Sequence, residues 1–371
     1  MEKARVYYTD FRAKLGEGLP TKLKRLMKKA GISEIDMENK FVAIKMHFGE
    51  MGNISYLRPN YAKAVVDVVK ELGGKPFLTD CNTLYPGSRK NALEHLYCAW
   101  ENGFTPLSVG CPVIIGDGLK GTDDIEVPVQ GGEYIEKAKI GRAVMDADVF
   151  ISLTHFKGHE TTGFGGTIKN IGMGCGSRAG KKDQHSVGKP TIDQEACRGC
   201  KSCLRECAND GLIYDADARK MSIDLEHCVG CGRCIGACNF DAISFMDSAA
   251  TKVLNCKMAE YTKAVVDGRP NFHISLIVDV SPNCDCIRRM MHRFFRISVC
   301  LPLLIRWHWI RHVQMSVLAR HRCRTASLQI VWKKRISAII MIILRIQHRI
   351  QSTRLVWHMQ RRSVLEQESM N

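Results

Sequence analysis

The chain has 371 residues and a formal charge of +16. At about 150 residues per domain, that length allows roughly two domains and a sizeable core. Hydrophobic content of 45% and charged content of 25% exclude a disordered, collagenous or coiled-coil chain. The longest apolar run, residues 339–344, is well short of the ~20 residues a spanning helix needs.

Strand and helix patterns alternate from the start. Residues 4–9 read as a strand, 19–30 as a basic amphipathic helix stopped by Gly31, and 41–47 as an apolar strand. Over 60–72, Ala62, Val65, Val66, Val69 and Leu72 share one helical face, and Gly73-Gly74 ends it. Strands follow at 76–79, 113–115, 125–129, 149–153 and 272–280, with helices at 88–101 and 249–266. This alternation predicts an α/β domain around a largely parallel sheet, over residues 1–189 plus 247–286. The N-terminal MEKARVYYTDF lacks the apolar core of a signal peptide, so the expected location is cytoplasmic.

Residues 190–246 interrupt the alternation and hold eight of the 17 cysteines. Cys197-Arg-Gly-Cys200-Lys-Ser-Cys203-Leu-Arg-Glu-Cys207 has the spacing C-x2-C-x2-C-x3-C, and Cys228, Cys231, Cys234 and Cys238 repeat it 31 residues later. Three thiolates so close wrap one face of an iron–sulfur cube, and the fourth is too far along the chain for its own cluster. Cys197, Cys200, Cys203 and Cys238 are therefore assigned to one [4Fe–4S] cluster. Cys207, Cys228, Cys231 and Cys234 are assigned to a second. Loops this tight need small residues such as Gly199 and Gly230, with N–H groups pointing at sulfur. Zinc competes poorly, since structural zinc sites pair two short Cys or His motifs across a longer gap. Disulfides are disfavoured in a chain without an export signal. The duplication resembles the bacterial two-cluster ferredoxins, except that Ala208 and Asn239 stand where Pro usually follows the fourth Cys. An inserted small ferredoxin-like α+β module, stabilised by metal, is expected here.

Beyond the strand at 149–153 runs a loop with His155, Lys157, His159 and the glycines Gly163, Gly165 and Gly166. Ligands in open α/β sheets gather at the C-terminal ends of strands. The composition suits a metal or an anion approached by backbone amides at a helix N-terminus. A tight glycine turn with solvated His and Lys is the alternative. The loop matches neither a Walker loop nor a dinucleotide fingerprint. His47-Phe-Gly49-Glu50 and Asp80-Cys81-Asn82 end two other strands, and the three polar ends are expected to share a pocket. His47, His155, Lys157 and His159 are the candidates for catalysis, and Gly163, Gly165 and Gly166 for cofactor binding.

The charge sits elsewhere. Residues 287–371 hold 15 Arg, 2 Lys and 2 Glu, a net +15, and contain no Gly. Folded segments of this length need Gly or Asp for turns. Met290-Met291-His292 must be encoded ATG ATG CAY, which two bases later reads Asp-Ala. Trp307-His308-Trp309-Ile310 likewise gives Ala-Leu-Asp. The tail is thus read as out of frame from about residue 286, irregular or spuriously helical, rather than as a basic RNA- or membrane-binding extension. Without it the chain is near neutral, and neither nucleic acid nor a membrane is expected as partner.

Five stretches carry a family resemblance: KFVAIKMHFGE, YLRPNYAKAVVDVVKELGGKPFLTDCNTLYPGSRKNALEH, GCPVIIGDGLKG, DADVFISLTHFKGHETTGFGGTIKNIGMGCGSRAGK and SLIVDVSPNCDC. Over residues 1–286 the chain resembles the iron–sulfur-centre proteins of domain-of-unknown-function family 362. The resemblance implies an α/β domain with an inserted ferredoxin module, and implies no particular reaction. Two [4Fe–4S] clusters relaying electrons to the α/β domain, as in an oxidoreductase, is the leading expectation. The partner would be a redox protein or a small-molecule substrate. A non-catalytic electron carrier or assembly factor is the alternative.

Overall fold

A computed structural model of the chain describes residues 5–85, 87–159, 162–185, 188–238, 240, 242–245, 248–281, 284–285 and 341–345. The first strand, β1 (Arg5–Thr9), leads to helix α1 (Leu19–Lys29), which Pro20 opens and Gly31, at φ +88°, ends. Next come β2 (Phe41–Lys45), α2 (Pro59–Glu71), β3 (Lys75–Asp80), α3 (Ala92–Glu101), α4 (Pro106–Val109) and β4 (Val113–Ile115). Asn91 caps α3 by accepting the Glu94 N–H at 3.0 Å.

β5 (Asp124–Pro128) and β6 (Lys137–Gly141) form an antiparallel ribbon outside the main sheet, followed by α5 (Arg142–Met145). Then come β7 (Val149–His155), the short pair β8 (Lys157–His159) and β9 (Gly163–Gly165), α6 (Thr167–Cys175) and α7 (Arg178–His185). Between β10 (Pro190–Ile192) and β13 (Ile243–Phe245) lie β11 (Leu212–Asp215), β12 (Lys220–Ile223) and the short α8 (Arg233–Ala237). The chain returns through α9 (Ser248–Val266) to β14 (Asn271–Leu276), and β15 (Met341–Arg345) completes the sheet.

The sheet order is β1-β15-β14-β7-β2-β3-β4. The five strands from β14 to β4 are mutually parallel, so the fold is α/β, as the alternation predicts. β15 runs antiparallel between β14 and β1. The one described part of the tail is therefore extended, not helical or irregular as expected. Met341-Ile-Ile-Leu is short and apolar with two β-branched isoleucines, and it pairs with β14 on one side and β1 on the other. The rest of the tail, and with it the out-of-frame reading, lies outside the described residues.

Both faces of the sheet are covered, which is why its strands read as continuous apolar runs. Successive residues of β2 and β7 alternate between two cores. Val42, Ile44, Ile151 and Leu153 face α1 and α2, packing with Leu23, Met27, Val65 and Val69. Ala43 and Phe150 face α6 and α9, packing with Ile171, Tyr261 and Val265. Each such side chain contributes roughly 1.5–3 kcal/mol on burial. α6 and α9 approach to backbone contact, because a Cβ on Gly172 would run into the Met258 carbonyl.

Residues 190–245 have a third, much smaller core of Cys197, Cys203, Leu212, Met221, Ala242 and Ile243. Two of its six members are cysteines. β10 and β13 pair antiparallel, Pro190 opposite Phe245, which closes this segment at its base.

Candidate functional site

β7, β2 and β3 are neighbours, so their C-terminal ends share one edge of the sheet. Lys45 ends β2, Asp80 ends β3 and His155 ends β7. The strand ends noted in the sequence thus lie along one edge, with His47 two residues beyond the end of β2.

Lys45 Nζ lies 3.0 Å from Asp80 Oδ1 and donates to Asn170 Oδ1 at 2.9 Å, with both ions buried. Gly174 of α6 passes directly over this pair, and a Cβ there would collide with Lys45 Nζ. Arg89 Nε donates to Glu50 Oε2 at 3.1 Å, and its second guanidinium arm is 3.9 Å from Asp80 Oδ2. Burial works against charge on Asp80, but Lys45, His95 and Arg89 outweigh it and hold its carboxyl below the usual range. Glu50 is likewise lowered, with burial opposed by Arg89 and by the Ser88 N–H. Burial pushes His95 down to about 3, despite the Asp80 carboxylate beside it.

A second buried group lies at the end of β7. His155 Nδ1 is 2.6 Å from Asp285 Oδ2, and its Nε2 is 2.5 Å from the Val278 carbonyl. Both ring nitrogens therefore lie within hydrogen-bond distance of an oxygen. Lys157 Nζ donates to the same Asp285 oxygen at 2.9 Å. Burial opposes charge on Asp285, and the neighbouring His155 and Lys157 overcome it, bringing its carboxyl down to about 2. In this arrangement His155 and Lys157 clamp a carboxylate.

His47 differs. Its Nδ1 accepts the Gly49 N–H at 3.0 Å, so the neutral ring carries its proton on Nε2. The residue is partly exposed, but Nε2 is closed off from solvent and has no hydrogen-bond partner among the described residues. Burial, then Arg89, Lys157 and Lys45, hold its pKa well below the ordinary histidine value. What results is a neutral N–H donor in a cationic setting, suited to an oxyanion.

The other sequence candidates are more dispersed. His159 Nδ1 accepts the Thr162 N–H at 3.2 Å. Gly163 and Gly165 belong to β9, opposite His159 and Lys157, and only Gly166 stands at the start of α6. Sequence reasoning passed over Lys45, Arg89, His95, Asn170 and the carboxylate of Asp285. A lysine inside the apolar run FVAIK was the available signal for the first. His95 carried a weaker one, as a polar residue on the buried face of α3.

The eight cysteines of the repeat are free thiols and fall into two sets. Cys197, Cys200, Cys203 and Cys238 line one cavity, together with Phe240 and Ile243. Burial raises the Cys203 thiol, and Cys200 and Cys238 are among the groups that raise it further. Exposed Cys200 is lowered, chiefly by its hydrogen bond with the Ser202 hydroxyl. In the other set, burial raises Cys231, and Cys207 and Cys228 add to it. Cys234 is pushed up to about 12 by burial, then by Cys231, Cys228, Cys203 and Cys207.

Gly199 and Gly230 occupy equivalent places in the repeat, at φ +61° and +70°. A Cβ on Gly199 would collide with the Arg219 carbonyl, and one on Gly230 with the Gly188 carbonyl. The N–H of Gly230 points at Cys228 Sγ, 3.4 Å away, and that of Gly211 at Cys207 Sγ, 3.3 Å away. Among the described residues no three His, Cys, Asp or Glu side chains converge closely enough to share a single metal ion. No helix among them is long and apolar enough to cross a membrane.

A mostly parallel α/β sheet with a charged edge at its strand ends defines the class of protein. The chain belongs to the DUF362 family, "domain of unknown function", whose sequence profile matches residues 42–301. It is also similar to the thylakoid-associated protein sll1697 of Synechocystis, at 31% identity over 124 residues. That match covers 32% of each protein, so the chain spans about a third of the length of this curated relative. Among solved structures, the lactate racemase apoprotein of Thermoanaerobacterium thermosaccharolyticum aligns at 13% identity and TM-score 0.32, over 65% of this chain and 43% of that one. A protein of Thermotoga maritima aligns at 11% identity and TM-score 0.36, over 70% and 51%. At these scores the likenesses add nothing to the fold described above.

Proposed function

We propose that the chain is an iron–sulfur redox protein holding two [4Fe–4S] clusters, one in Cys197, Cys200, Cys203 and Cys238 and one in Cys207, Cys228, Cys231 and Cys234. When bound, such clusters supply one-electron transfer. The observation that carries this reading is the cavity lined by three cysteines of the first repeat and the last cysteine of the second. In a cube each thiolate holds a different iron, so the sulfurs stand further apart than the ~3.8 Å of a tetrahedral zinc site. Four thiols lining one cavity fit that donor set. The left-handed glycines and the N–H groups aimed at sulfur support it further.

The chain's own residues at the strand edge would bind an anionic electron acceptor. His47 would donate through Nε2, and Lys45, Arg89 and Lys157 would provide the positive field. His155 would hold Lys157 in place through Asp285. This makes the protein an oxidoreductase. The competing reading, an electron carrier or assembly factor without catalysis, has one observation in its favour. Lys45, Arg89 and Lys157 already face carboxylates of the same site.

Anaerobic purification followed by iron and acid-labile sulfide assays tests the first statement. About eight of each per chain are expected; zinc in their place would overturn it. Alanine at His47, His155 and His159 separates the two readings. The oxidoreductase requires loss of anion binding in His47→Ala, whereas unchanged binding and redox behaviour in all three supports the carrier.

A further inference from the structure

The two cysteine sets have different surroundings. The cavity of the first is lined only by residues between 197 and 243. The second touches the α/β domain at two places. The Gly230 turn packs against the carbonyls of His185 and Gly188. Arg233, between Cys231 and Cys234, is buried, and its guanidinium carbon lies 4.2 Å from the centre of the Tyr85 ring. The Arg233 guanidinium is also 3.7 Å from the carboxylate of Glu206, the neighbour of Cys207. Tyr85 leaves the end of β3, and its hydroxyl is 3.5 Å from the guanidinium of Arg89, which pairs with Glu50 and approaches Asp80. Contacts thus run from the second cysteine set through Arg233, Tyr85 and Arg89 to the charged strand edge.

Resting on the cluster reading above, we propose that Arg233 is a positioning residue that makes the two sites unequal. Clamped by Tyr85 and Glu206, it orients the set of Cys207, Cys228, Cys231 and Cys234 toward the strand edge. It also raises the midpoint potential there above that of the outer set. A fixed positive charge in a buried setting favours the reduced form, which carries one more negative charge. Glu206 offsets this only in part, because it is 36% exposed and screened by water while Arg233 is 7% exposed. No comparable buried cation lines the outer cavity among the described residues, where Arg198 and Lys201 are exposed. Reducing equivalents would then collect on the side that faces the α/β site.

The experiment is an EPR-monitored redox titration of the full chain. Dithionite supplies one electron to each site and is oxidised to sulfite. Iron content is measured first, and a chain without iron would overturn the cluster reading itself. With iron present, Cys200→Ala assigns the outer signal by altering or removing it. Arg233→Gln is expected to lower the potential of the other signal and leave the outer one in place. Arg233→Lys is expected to restore most of the shift, and Tyr85→Phe to keep it, since the ring remains. Tyr85→Leu, which removes the clamp, is expected to lose part of it. If Arg233→Gln fails to load iron, Tyr85→Leu and Arg233→Lys carry the test. Equal movement of both signals, or of neither, would overturn the proposal.

Discussion

The sheet domain and the cysteine segment solve the problem of staying folded in opposite ways. The sheet is flanked by two extensive apolar cores, and it tolerates a row of buried charges at one edge because each faces a counter-charge. Among the described residues the cysteine segment has six buried core residues, two of them thiols, and short strands of three or four residues. Apolar area holds the first and is scant in the second, so on the cluster reading the segment's order would depend on what its thiols bind. The two regions also differ in chemistry: the sheet edge carries charges and hydrogen bonds, and the cysteine segment carries free thiols.

On the cluster reading, iron removal is the strongest way to break this contrast. Chelation under reducing conditions is expected to open residues 190–245 to proteolysis while the sheet core stays protected. Equal protection of both regions, read by hydrogen exchange, would contradict the difference in their cores. Next in size is Asp80→Ala, which leaves Lys45 buried without its carboxylate. A loss of about 3–5 kcal/mol is expected in denaturant unfolding of the sheet domain, with the iron content unchanged.

A smaller, pH-dependent effect comes from His273 on β14, which contacts the Ser152 hydroxyl at 2.9 Å. Burial lowers its pKa from 6.5 to about 4. Between those values the unfolded chain binds a proton that the folded chain does not. Stability therefore falls as pH falls through this window, by up to about 1.4 kcal/mol per pH unit. His273→Asn is expected to flatten that part of the profile in thermal melts between pH 7 and 5. The smallest effect belongs to the exposed pair Lys137 and Glu126, 3.2 Å apart on the β5–β6 ribbon. Lys137→Ala is expected to change stability by no more than about 0.5 kcal/mol, and less still in high salt.

Much of the sheet was legible because its strands are buried on both faces and separated by helices with clear stops. FVAIK and VFISL need no tertiary context to read as strands, and Gly31 and Gly73 mark helix ends by their backbone demands alone. The ribbon of β5 and β6 was harder. Its residues 125–129 have strand composition, but nothing local says that they pair outside the main sheet. β15 was illegible for a different reason, since its partners are β1 and β14, far away in sequence.

The site was legible in outline. His47, Asp80 and His155 could be gathered because all three stand at or just beyond strand ends. Their pairing could not: Asp285 reaches His155 across 130 residues, and Asn170 reaches Lys45 across 125. The cysteine repeat was the most readable feature, because its chemistry lies in local spacing. The docking of Arg233 on Tyr85 left no trace in that spacing.

The pairing of β10 with β13 reaches beyond the cysteines. It brings Pro190 opposite Phe245, so the two ends of the 190–245 segment are neighbours. A host whose break points already touch loses little chain entropy when the intervening residues are replaced by a short linker. Read as an insert, the cysteine segment would in this sense be a cassette. Other small domains with adjacent termini could be grafted at the same junction, carrying a different chemistry to the same strand edge.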